Sequence, residues 1–232
     1  MPDLAADARI LWRMLRGQPR TGSHAARLQA FYAPQAARYD AFRERLLQGR
    51  ETLITRLALQ PGERVVELGA STGSSLTRIG EGLAGLERLQ LVDLCPALLA
   101  LARARASAHA NVEVSEADAT HWQPEDAVDV VFLSYALTMI PDWQAVLANA
   151  RKMLRPGGRI GVVDFHLPAT ANPLANAGWR RWFAHDGVHL STEHLPALRQ
   201  QFSEQYSEQS RARLPYLPGL RAPYYLFVGN CD

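Results

Sequence analysis

The run Val65-Val-Glu-Leu-Gly-Ala-Ser-Thr-Gly-Ser74 most constrains what this chain can fold into. Its first residues are too apolar for a strand with one wet face and suit a strand buried on both sides. An acid, Glu67, stands near the strand end. Gly69 and Gly73 then permit backbone angles and close approaches that a side chain would block. A helical stretch over Ser74–Gly82 completes a strand-loop-helix unit, and the pattern repeats. Strands are expected over Arg88–Val92, Val112–Glu116, Val128–Ser134 and Arg159–Asp164, and helices over Ala97–Ala106 and Trp143–Leu154. Alternation of this kind implies an α/β fold, a doubly wound and mostly parallel sheet with helices on both faces.

After Phe165 the rhythm changes. Trp179–Ala184 and Thr192–Phe202 read as helices, and Glu204–Leu214 and Tyr224–Val228 as strands around the turn Pro215-Tyr-Leu-Pro-Gly219. That is a closing hairpin, with one strand antiparallel to the rest. Ahead of the sheet, residues 3–16 place Leu4, Ala8, Leu11, Trp12 and Leu15 on one stripe, with Arg9, Arg13 and Arg16 beside or opposite it. Such a helix either packs on its own domain or touches anionic lipid. A second helical stretch starts near His24 and breaks at Ala33-Pro34. A third region, Ala36–Ala58, turns Leu46, Leu47, Leu53, Ile54 and Leu57 to one side before Pro61-Gly62 stops it. The expected layout is a single domain over 1–232. Residues 1–60 form a helical lid, and 61–232 a core with an insertion over about 166–200 and a hairpin over about 204–229.

A net charge of +2 argues against a chain-wide surface for nucleic acid. Two cysteines, Cys95 and Cys231, offer neither a metal spacing nor a disulfide framework, which points to a cytoplasmic protein without metal. No apolar run approaches the ~20 residues of a membrane-spanning helix, and the start of the chain has no signal-peptide pattern. Peripheral contact with the inner face of a membrane stays open. Oligomeric state is not legible.

In a doubly wound sheet ligands bind beyond the carboxyl ends of the strands, and the chemically informative residues fall there. The loop Gly69-Ala70-Ser71-Thr72-Gly73 lacks the G-x-G-x-x-G spacing that cradles a pyrophosphate. Glu67 would repel a pyrophosphate and suits a cationic amino-acid moiety. Asp93, 26 residues on, can accept hydrogen bonds from both hydroxyls of a ribose, and Leu94 follows it. Asp118, with Ala119 behind it, can receive an adenine amino group. Ser134 ends the fourth strand. Three acids at three successive strand ends specify far more than any one of them.

Glu67–Gly73, Asp93, Asp118-Ala119, Asp129-Val-Val-Phe-Leu-Ser-Tyr135 and Leu154-Arg-Pro-Gly-Gly158 together resemble the ordered motifs of class I methyltransferases. The resemblance implies a Rossmann-like, seven-stranded sheet with one antiparallel strand, and S-adenosylmethionine as cofactor. Ser71 stands where that family commonly has a glycine. The flanks Phe31-Tyr-Ala-Pro-Gln35, Tyr39-Asp-Ala-Phe-Arg43, Leu47-Gln-Gly-Arg50, Val163-Asp-Phe-His166 and Arg221-Ala-Pro-Tyr-Tyr225 resemble the N-methyltransferases of betaine-lipid synthesis, which build diacylglyceryl-trimethylhomoserine. Phosphatidylethanolamine or a soluble small molecule is the alternative acceptor, and a non-catalytic binding protein the alternative class.

Methyl transfer from a sulfonium asks the protein mainly to align the nucleophile and exclude water. Tyr135 and His166, at the ends of the fourth and fifth strands, are the candidates to hold the amine or accept its proton, against pocket-wall and loop-contact readings. Tyr32 and Tyr39 in the lid either stabilise a developing quaternary ammonium through their ring faces or simply pack the lid. The resemblance also implies a hydrogen bond from Tyr39 to the cofactor carboxylate. Arg43, Arg50, Arg180 and Arg181 are candidates for the headgroup carboxylate. Trp179-Arg-Arg-Trp-Phe183 mixes aromatics and cations in a way that suits a lipid interface.

Overall fold

The computed structural model describes residues 21–33, 44–168, 172–184, 187–214 and 219–232. Two helices, α1 (His24–Tyr32) and α2 (Arg50–Leu57), precede β1 (Arg64–Leu68) and the short α3 (Ser75–Ile79). β2 (Arg88–Asp93), α4 (Pro96–Ala106), β3 (Val112–Glu116), β4 (Val128–Ser134), α5 (Trp143–Met153) and β5 (Leu154–Phe165) follow. α6 (Pro173–Ala184), α7 (His194–Gln201), β6 (Ser203–Arg213) and β7 (Arg221–Asn230) close the chain. The residues at 3–16, Tyr39, Arg43 and the break after Ala33 lie outside the described residues, as does most of the 215–219 turn.

The strands form one seven-stranded sheet in the order β3-β2-β1-β4-β5-β7-β6. β7 alone runs antiparallel to its neighbours β5 and β6. The expected doubly wound, Rossmann-like sheet with one reversed strand is therefore what the chain builds. Every central strand is buried on both faces, as the unbroken apolar runs require: β1 and β4 are almost wholly buried. One face packs on α2, where Leu53 and Leu57 press so closely on Gly161 that an added Cβ would lie 2.8 Å from Leu57 Cδ2. The other face packs on α5 and α7, with Val146, Leu147, Leu195 and Leu198 against Tyr225 and Phe227.

Several boundaries differ from the sequence expectation, and three of them have a local cause. The helix expected to reach Gly82 stops at Ile79, because Gly80 takes φ 59° and the chain tightens into a 3-10 helix over Gly80–Gly85. Leu154 leaves α5 for β5 and pairs with Val128. The helix expected at Trp179 begins six residues earlier: Asn172 Oδ1 accepts the Leu174 N–H at 2.8 Å, and Pro173 occupies the first turn, where its missing N–H costs nothing.

Candidate active site

The chain leaves β1 for β2 and β3 on one side and returns to β4 on the other, so the crevice between β1 and β4 is the topological switch point. The loop after β1 lies across it. Gly69 and Ala70 donate their N–H groups to the Val92 carbonyl at 2.8 and 3.0 Å. Gly69 has φ 75°, and a Cβ there would sit 2.3 Å from Ala136 Cβ, so no side chain fits. Ser71 takes the left-handed conformation too, at φ 54°. That costs a non-glycine residue about 1–2 kcal/mol. The Ser71 N–H donates to Asp93 Oδ2 at 2.8 Å, and a bond to a charged group contributes about 1.5–3 kcal/mol, enough to offset the strain. The loop is held from outside by Arg105, whose Nη1 donates to the Thr72 carbonyl and hydroxyl at 2.8 and 2.9 Å.

Two cavities flank this loop. The first, about 610 Å³, is bordered by Asp93, Leu94, Asp118 and Ala119 from the strand ends, by His24, Leu28 and Tyr32 from α1, and by Met139 and Ile140. Asp93 Oδ1 accepts the Cys95 N–H at 2.8 Å, and burial pushes the carboxyl above its ordinary pKa against the pull of its backbone donors. Burial alone would raise Asp118 as well, but the backbone and hydroxyl of Thr120 both donate to its Oδ1, at 2.9 and 2.7 Å, and hold it below the ordinary value. Asn149 of α5 fixes the adjoining turn by donating to the carbonyls of Ala119 and Trp122. Gln29 docks the lid by accepting the Ala97 N–H at 3.0 Å.

The second cavity, about 560 Å³, is bordered by Glu67, the loop residues Gly69 to Thr72, Ser74, Ser75, Ser134, Arg50 and Arg78. Glu67 is fully buried. Burial raises its carboxyl to about 8, against the opposing pull of the Ser75 hydroxyl, Arg50 and Arg78. Arg50 Nη1 reaches Ser74 Oγ at 3.4 Å and its Nη2 pairs with Glu44 at 2.7 Å. Arg78 donates to the Ser74 carbonyl and hydroxyl and pairs with the same Glu44. The hydroxyls of Ser71 and Ser134 are buried and without partners among the described residues. A buried acid, two guanidinium groups and two uncommitted hydroxyls fit the ammonium and carboxylate of an amino acid.

Gly69, Ser71 and Tyr135 border both cavities, which makes them two arms of one trough. Tyr135 follows β4 at φ 55°, its N–H held by the Val163 carbonyl and its hydroxyl donating to the Gln48 carbonyl at 2.7 Å. Burial raises the phenol well above its ordinary pKa. Its ring meets Phe165 edge-on at 4.7 Å, and Phe165 meets Phe183 of α6 at 4.7 Å.

The structure thus gathers Glu67, Gly69, Ala70, Ser71, Thr72, Asp93, Leu94, Asp118, Ala119, Ser134 and Tyr135 around the trough. Two residues expected as acceptor contacts border these cavities as well: Tyr32 walls the first, and Arg50 stands beside the loop in the second. His166 is not brought to either cavity. Strand alternation turns Phe165 toward Tyr135 and His166 to the opposite face, against Tyr225, where burial lowers its imidazole to about 4. Arg180 and Arg181 are exposed on α6 and border neither cavity. Sequence reasoning missed Arg78, Arg105, Asn149, Gln29 and His24. Only Arg78, four residues after Ser74 on the helix that follows the loop, carried a local signal.

Residues 65–158 match the protein family described as a methyltransferase domain. The chain is 28% identical over 142 residues to the ubiquinone/menaquinone biosynthesis C-methyltransferase of Vibrio campbellii, covering 57% of this chain and 55% of that one. It therefore spans a little over half the length of this curated relative. In fold it is similar to the N-methyltransferase NodS of Bradyrhizobium japonicum, solved with S-adenosylhomocysteine (TM-score 0.66, 16% identity, 88% of this chain and 98% of that one). It is similar also to phosphoethanolamine N-methyltransferase 2 of Haemonchus contortus (TM-score 0.71, 14% identity, 92% and 61%). The sheet order, the acid-tipped strands and the matched domain define a class I S-adenosylmethionine-dependent methyltransferase domain.

Proposed function

We propose that this chain is an N-methyltransferase for the amine of a lipid headgroup, with diacylglyceryl-homoserine as acceptor and up to three transfers forming diacylglyceryl-trimethylhomoserine. The observation that carries the amine reading is Tyr135, which borders both cavities where they meet and is backed by Phe165 and, behind it, Phe183. Aromatic faces attract a developing quaternary ammonium by about 2 kcal/mol when water is excluded. The flanking resemblances at Phe31–Gln35, Leu47–Arg50 and Val163–His166 support the betaine-lipid acceptor. Two of the fold neighbours are named as N-methyltransferases.

S-adenosylmethionine, when bound, supplies an electrophilic methyl on a sulfonium. Asp93 and Asp118 would hold its ribose and adenine, and Glu67 and Arg50 its ammonium and carboxylate. The Gln48 bond holds the Tyr135 ring in place as a wall, which keeps its hydroxyl from serving as the base. With His166 on the far side of the sheet, the protons shed by the amine are read as leaving to solvent.

A second reading is supported by the curated relative, which is named as a quinone C-methyltransferase. To separate them, the protein is incubated with methyl-labelled cofactor and, in separate detergent micelles, diacylglyceryl-homoserine, phosphatidylethanolamine and demethylmenaquinone. Label is expected in the homoserine lipid. Label in the quinone alone, or in phosphatidylethanolamine alone, overturns the acceptor assignment.

A further inference from the structure

The outer face of α6 is unusual for a helix on a soluble core. Among the described residues three large apolar side chains are exposed, and two of them, Leu174 (82%) and Trp182 (49%), lie on this helix. Leu174, Gly178, Arg181 and Trp182 stand at i, i+4, i+7 and i+8, which puts them on one side. Arg180 lies about 100° further round the helix from Arg181, and both arginines are exposed. The opposite side carries Trp179, half-buried, and Phe183, buried, and is committed to the protein. α6 contains no acidic residue.

We propose that this outer face docks on an anionic lipid bilayer. The inference rests on the lipid-acceptor reading and deepens it. Its first support is charge. A face of leucine, tryptophan and Arg181, on a helix with a second exposed arginine and no acid, complements a negatively charged surface into which apolar side chains can dip. A second copy of the same face would bring arginine against arginine. Residues 1–20 of this chain, an alternative cover, hold four arginines against two aspartates and carry the same sign. The second support is continuity with the site. From the docked helix, Trp179 meets Phe183 at 5.8 Å, Phe183 meets Phe165, and Phe165 meets Tyr135, so the helix is joined to the edge of the trough by a chain of packed rings. No helix among the described residues is long and apolar enough to cross a membrane, so the contact is one of surface.

The test is co-sedimentation of the full chain with vesicles of phosphatidylcholine alone and of phosphatidylcholine with phosphatidylglycerol, without cofactor or turnover. Partition is expected on the anionic vesicles only and to weaken with salt. Each arginine near such a surface contributes roughly 5-fold, so Arg180→Gln with Arg181→Gln should lower partition about 30-fold. Leu174→Ser with Trp182→Ser should lower it on the order of tenfold or more. These are exposed positions, and unchanged circular-dichroism melts check that the variants fold. Partition that is absent from both vesicles, or unchanged in both double variants, overturns the proposal. So does its loss only on deletion of residues 1–20, or a dimer in lipid-free sedimentation that the variants dissolve. Methylation of the homoserine lipid in micelles is read independently, so a failure here and a failure of the acceptor assignment remain distinct.

Discussion

The two ends of the trough are built by different physics. On the cofactor side, backbone N–H groups, carboxylates and guanidinium groups lock one another: Asp93 takes the N–H groups of Ser71 and Cys95, and Arg105 clamps Thr72. On the side proposed for the acceptor, Tyr135, Phe165, Phe183 and Trp179 meet edge-on or tilted, joined to the rest mainly by packing. A polar lattice tolerates no missing member, because each removal strands a buried partner. An aromatic wall can be reshaped at moderate cost. The difference teaches that the loop depends on single polar contacts, while the ring cluster depends on packing shared among several side chains.

The largest effect expected from breaking this contrast is at Gly69→Ala. The new Cβ meets Ala136 in a left-handed backbone, and overpacking together with the strain should cost about 2–5 kcal/mol of stability. Calorimetry should show cofactor affinity at least ~100-fold weaker; wild-type affinity in this variant would mean that the loop is not the binding element. Asp93→Ala comes next. It removes the ribose contact and strands two backbone donors, for about 2–4 kcal/mol of cofactor binding and a lowered melting temperature. A loss confined to catalysis would contradict the assignment.

Glu67 makes the contrast pH-dependent. Its carboxyl titrates near 8 in the apo protein, and a cofactor ammonium favours the ionised form. Binding should therefore release a proton below that pH, and affinity should climb up to about tenfold per pH unit until it levels near 8. Titration calorimetry in buffers of different ionisation enthalpy measures this, and Glu67→Gln should flatten the profile. For stability the sign is opposite. The folded apo protein holds this proton where the unfolded chain has lost it, so the group costs stability progressively as pH rises from about 4.5 to 8. The smallest effect belongs to the aromatic side. Tyr135→Phe loses the bond to the Gln48 carbonyl, about 1 kcal/mol of stability, and should leave kcat within a few-fold. A fall of 100-fold with unchanged cofactor affinity would make that hydroxyl a proton carrier after all.

The same divide separates what could be read along the chain from what could not. Strand ends, the glycine loop and the acids Glu67, Asp93 and Asp118 were legible because alternation and turn chemistry are local signals, and parallel topology carries every strand end to one edge. Ser71 shows the limit of such reading. Its departure from glycine is visible in the sequence, but only the Asp93 contact explains how the left-handed backbone is tolerated. That Arg50 and Tyr32 border the cavities beside the loop was not legible, because the docking of their segment through Gln29 and Glu44 depends on partners 34 to 68 residues away. His166 follows Phe165 by one position, and the strand's two-residue period turns one toward Tyr135 and the other toward Tyr225 on the opposite face.

The sequence by itself therefore determined the layered sheet, the order of its strand-end acids and the loop between them. Those follow from periodicities and residue types within a few positions. Tertiary structure alone decided which arginine faces the loop, which aromatic rings share a wall and which side of α6 is left bare. Each of those depends on pairs of side chains that meet only after distant segments have packed.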